Sequence, residues 1–184
     1  MTATKIKPLL LDTLLAMLRR SVGTKMFQTN LATVAGRKKD VTGRGSLSCA
    51  FYVSAILAIF GLIDHNHSEV ASTVTAMTKA GWRKSQDLKP GRVIVWARPT
   101  GSSGQARPTG SSGPARPTGS SGPAGRPGTD GRSHEHIGFY LGDNRAISHS
   151  DKKRSPVIHH FTFGRTTSRD YRPLTAIYYH PKLG

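Results

Sequence analysis

Leucines at 10, 11, 14, 15 and 18 recur at helical spacing between Pro8 and Arg20, so this stretch predicts an amphipathic helix whose apolar stripe faces a core. The next apolar block, "SLSCAFYVSAILAIFG", is nearly continuous. Ser46 or Ser48 is placed to cap it and Gly61 to stop it, which predicts a buried helix. A third helix is expected after Ser68, with Val70, Val74 and Met77 on one face and Gly81 at its end. Beyond Pro90-Gly91 the period changes. Val93 to Trp96 is a β-prone run, Ile137 to Leu141 is another, and Gly142-Asp143-Asn144 turns the chain into the returning Arg145 to Ser148. Val157 to Phe163 and Thr175 to Tyr179 read as two further strands. The order predicts an α+β domain, N-terminal helices packed on a small antiparallel sheet.

Between the runs at 93 and 137 lie three copies of a nine-residue unit, "ARPTGSSGQ ARPTGSSGP ARPTGSSGP", and a degenerate tail. No apolar residue larger than alanine occurs in them, so ordering this segment would not be offset by burial. Residues 97–133 are therefore expected to be a disordered Gly/Pro/Ser/Arg-rich insert. A solenoid is disfavoured because its turns need an apolar position to build a core. Removing the insert brings the flanking runs together as neighbouring strands, and residues 1–184 read as a single domain.

Composition narrows the picture. The 184 residues carry 27 Lys and Arg against 10 Asp and Glu, a formal charge of +17, which points to an anionic partner such as nucleic acid or a wall polymer. The single cysteine excludes an internal disulfide and a multi-cysteine zinc site. Residues 1–20 are interrupted by Asp12 and close on Arg19 and Arg20, so they read as a helix and not as a signal peptide. The longest apolar stretch, Ala50 to Ile63, is too short to span a membrane. A soluble, monomeric protein is expected, with its compartment left open.

Three positions carry candidate chemistry. Cys49 falls at the first turn of the apolar helix, where unpaired amides and the helix dipole favour a thiolate; beside alanine and phenylalanine, a lone cysteine also serves as a small core residue. His136 opens one strand of the hairpin and His149 ends the other, so folding the hairpin is expected to bring both imidazoles to one end. A cysteine facing a histidine that a second polar group orients is an arrangement that generates a nucleophile beside a base. A weaker alternative gathers His134, His136 and His149 around zinc, but leaves the placement of Cys49 unexplained. His65, His67, His159, His160 and His180 read as loop or surface residues.

A cysteine opening a buried helix, then "KPGRVIVW", then "HIGFYLGDNRAISHS" resembles the NlpC/P60 superfamily of papain-like cysteine peptidases, close to its CHAP amidase relatives. The resemblance covers roughly Ser46 to Phe163 without the insert. It implies a papain-like fold and hydrolysis of peptide amide bonds in peptidoglycan through an acyl-enzyme, with no cofactor or metal. Carried over by position, Cys49 is the nucleophile, His136 the base and His149 the orienting residue, while the commonest family spacing falls on Ser148.

Overall fold

The computed structural model describes residues 7–97 and 135–184, so the expected insert over 97–133 lies outside the described residues except for Ala97. The leucine stripe forms helix α1 (Leu10–Arg20), with Leu14 and Leu18 fully buried. A hairpin of two exposed strands follows, β1 (Leu31–Val34) and β2 (Arg37–Asp40). It was not expected from sequence: its residues bury no face, so the chain shows no apolar alternation there.

Helix α2 (Cys49–Ile59) is apolar all round because it is buried on nearly all sides, from Ala50 to Leu57. It stops as expected at Gly61. That residue takes φ +61°, and the amides of Gly61 and Leu62 donate back to the carbonyls of Ala58 and Leu57. Helix α3 (Val70–Lys79) ends in the same way at Gly81. Of the expected caps, Ser48 holds its position and Ser68 precedes the cap residue Glu69 by one. Ser48 stands at the cap of α2 without a capping hydrogen bond, and Ser68 instead accepts from the Asn30 amide group.

The second half is a six-stranded sheet. Its strands are β3 (Arg83–Lys84), β4 (Val93–Trp96), β5 (His136–Gly142), β6 (Arg145–Ser150), β7 (Ser155–His160) and β8 (Leu174–Tyr179). Their spatial order is β3-β8-β4-β5-β6-β7, and every pairing is antiparallel. The protein is thus α+β, with α2 lying across β5 and β6.

Alternation along the strands divides the interior in two. Val93, Val95, Ile137, Phe139, Leu141 and Ile147 face the helices and join Leu14, Leu18, Tyr52 and Ile56 in the main core. Ile94, Trp96, Tyr140 and Ala146 face the other way, under Phe161, Phe163 and Leu174. Truncating a fully buried leucine such as Leu14 to alanine costs about 2–5 kcal/mol. No helix among the described residues is long and apolar enough to cross a membrane.

Candidate active site

Cys49 is the first residue of α2, at the end of the sheet where β5 begins. Its sulfur is approached by the backbone N–H groups of Ala50 and Cys49, and by that of Ile137, the residue after His136. The run into the helix is braced from upstream. The Asp40 carboxylate accepts from the amides of Asn30 at 3.1 Å, Thr42 at 3.0 Å and Arg44 at 2.8 Å. These bonds and the Thr42 hydroxyl outweigh partial burial and hold Asp40 down to about 2. The Leu47 amide then donates to the Thr42 carbonyl, which delivers Ser48 and Cys49 to the helix start.

The expected low-pKa thiolate is not what the environment favours. Desolvation is the largest influence on Cys49 and raises its pKa; the three amides and the positive charge of Arg172 act against it without reversing the direction. Part of Cys49 still reaches the surface.

His136 points to the face opposite the main core, beside Trp96, whose ring centroid is 5.6 Å away. Its Nε2 lies 2.8 Å from Ser148 Oγ. His149 is not its partner, which corrects the expectation for that residue. Counting back from the turn, where Gly142 pairs with Arg145, would set Gly138 opposite His149 and put both histidines on one face. An irregularity between Tyr140 and Gly142 shifts the ladder by one residue, so Phe139 pairs with Ile147 and Gly138 faces Ser148. His149 is thereby turned toward α2, with its ring 6.5 Å from that of Tyr52. Neither of its ring nitrogens has a hydrogen-bond partner among the described residues. A zinc site joining His136 to His149 is excluded by the same parity, and His134 lies outside the described residues.

The residue that sequence reasoning missed is His159. The strand expected over Val157 to Phe163 is present as β7, but His159, expected as a loop or surface residue, turns its Nε2 to within 2.8 Å of the same Ser148 hydroxyl. Its Nδ1 is 2.8 Å from the carbonyl oxygen of His160. His180, also read as a surface residue, is buried against Trp82 and bonds the Ala80 carbonyl.

Burial pulls His136 down to about 3 and His159 to about 4, so both are neutral near pH 7. A carbonyl only accepts, so the proton of His159 resides on Nδ1 and its Nε2 is a bare acceptor. Ser148 has one proton and donates it there. Its oxygen is left to accept from His136 Nε2, which therefore carries the His136 proton. The lone pair of His136 is then on Nδ1.

Aromatic rings wall the chain in. His159 stacks on Phe163 at 3.9 Å, and Trp96 lies 5.1 Å from the same ring. The guanidinium of Arg172 covers Phe163 at 5.3 Å, and its charge is felt at Cys49, His136 and His159 alike. Gly138 lies beneath Ser148, where a methyl group would meet the Ile147 carbonyl, Ser148 Cβ at 2.9 Å and the Trp96 ring at 3.0 Å. Arg92, at the far end of β4, is turned away and bonds Ser85 at 2.6 Å.

Comparison with models of known protein families finds no match, and comparison with curated proteins finds none either.

Proposed function

We propose that this protein is a cysteine hydrolase of the NlpC/P60 type, with a papain-like fold, cleaving peptide amide bonds in peptidoglycan. The observation that carries this reading is the hydrogen-bonded chain from His160 through His159 and Ser148 to His136, with the amide of Ile137, the residue after His136, approaching the Cys49 sulfur. In this reading Ser148 takes the orienting role in place of His149. Because the resting thiol is protonated, His136 acts as a general base during attack: the Cys49 proton moves to Nδ1 as the sulfur bonds the carbonyl carbon and the carbonyl electron pair moves to oxygen. The amides at the start of α2 and the Arg172 charge favour the negative charge as it develops. The imidazolium then protonates the leaving amine, the C–N bond breaks, and water hydrolyses the thioester.

Incubation of the purified protein with muropeptides, with products read by mass, tests the activity. Cleavage that disappears in Cys49→Ser and in His136→Ala supports it. Intact muropeptides, together with no labelling of Cys49 by a thiol-directed acylating probe, would sink it.

A second reading, a basic module holding an anionic polymer, is favoured by the exposed β1–β2 hairpin with Arg37, Lys38 and Lys39 on one strand. Binding of a polyanion should then weaken log-linearly with salt, and with a shallower slope in the triple alanine variant of that strand. A salt-independent response would remove this reading.

A further inference from the structure

At the opposite end of α2 from Cys49, the loop into α3 gathers Asp64, His65 and His67 on the rim of a cleft bounded by Ser72, Thr75 and Lys79. One potential ligand atom from each of the three lies within 4.8 Å of the others. His65 Nδ1 is 3.0 Å from one Asp64 carboxylate oxygen, and His67 Nε2 is 3.9 Å from the other. The two imidazole rings approach to 4.4 Å between centroids.

Two features separate this cluster from a chance surface grouping. His67 is fixed through its main chain, because the fully buried hydroxyl of Ser54 donates to its carbonyl at 2.9 Å and accepts from its amide at 2.7 Å. Its Nε2 is buried with no hydrogen-bond partner among the described residues, although it faces the carboxylate. A buried ring nitrogen without a partner is a cost to folding that a bound cation would remove.

We propose that Asp64, His65 and His67 form a binding site for a zinc-type divalent ion, with solvent completing the coordination. Two imidazoles and one carboxylate suit a borderline transition ion. A single carboxylate with Lys79 across the cleft does not suit calcium or magnesium, which need several oxygen ligands. Binding at metal–ligand distances of about 2.0–2.2 Å would draw the exposed Asp64 and His65 side chains toward His67, whose main chain is anchored by Ser54. The bound ion would clip the loop between α2 and α3, remote from the cysteine and independent of any hydrolase activity.

Zinc chloride titrated into EDTA-treated, full-length Cys49→Ser protein tests the site, with calorimetry and the thermal midpoint as readouts; that background removes the thiol as a competing ligand. One saturable zinc per chain and a raised midpoint are expected, with no response to calcium. Adding His65→Ala, a substitution of an exposed side chain, should abolish both effects, whereas adding His159→Ala should leave both in place. Absence of saturable binding in Cys49→Ser, or binding that survives His65→Ala, would overturn the proposal.

Discussion

Ser148 Oγ stands 2.8 Å from His136 Nε2, while its neighbour His149 is turned to the other face of the sheet with both ring nitrogens unpaired among the described residues. The two positions should therefore respond in opposite ways. Ser148→Ala removes the acceptor that holds His136 in its Nε2–H form and should lower kcat on muropeptides by roughly 10- to 100-fold, part of the 10²–10⁴ that a positioned base contributes. His149→Leu replaces an unsatisfied buried imidazole by an apolar group and should leave kcat near wild type, with stability held or raised. The reverse ranking would return the orienting role to His149.

Alkylation of Cys49 by iodoacetamide should be slow at pH 7 compared with a free cysteine, and should accelerate only above the ordinary thiol range, because desolvation favours the neutral form. An inflection well below about 8.5 would show instead a preformed thiolate–imidazolium pair.

Acid should destabilise the fold through its buried histidines. Burial first, with the Arg172 charge added at His136 and His159, sets folded values of about 3 for His136 and about 4 for His149 and His159, against 6.5 ordinarily. Between about pH 6.5 and 4 the unfolded chain binds more protons than the folded one, so stability falls as pH falls and levels off below the folded values. Each uncompensated proton steepens the loss by about 1.4 kcal/mol per pH unit. Urea midpoints measured across this window should drop in wild type and drop less in His149→Leu; midpoints that stay flat would contradict the assignment.

Gly138→Ala inserts a methyl group against the Ile147 carbonyl and the base of Ser148. It should destabilise by about 1–3 kcal/mol and reduce activity more than a surface change of equal destabilisation, because the displaced group is Ser148. Wild-type urea stability in this variant would show that the sheet yields there at no cost.

The helices and most of the sheet were legible because burial writes a period into the chain: the leucine stripe of α1, the unbroken apolar run of α2 and the β-prone runs of β4 and β5 each announce themselves. Cys49 and His136 stand where the sequence places them, each at the start of an element. His149 was misplaced because the shift between Tyr140 and Gly142 inverts which residues of β6 share a face with His136, and a one-residue shift leaves no mark in composition. His159 was missed because its role comes from a cross-strand neighbour: β7 folds back on β6 across residues 151–154, and which β7 side chain meets Ser148 depends on a register that composition does not show. The β1–β2 hairpin offered only Ala35-Gly36, both at positive φ, between strands without an apolar face.

Trp96 and His136 are paired residues on adjacent strands, so whatever joins them leaves and re-enters the fold at one point, on the rim of the site. The ladder beyond that point is held by its own pairing and by both cores, and is indifferent to how much chain lies outside it. Where such a connection is unstructured, each doubling of its length costs only about 0.6 kcal/mol. Under that condition, added copies of a short unit between these two strands would leave the stability of the ladder nearly unchanged.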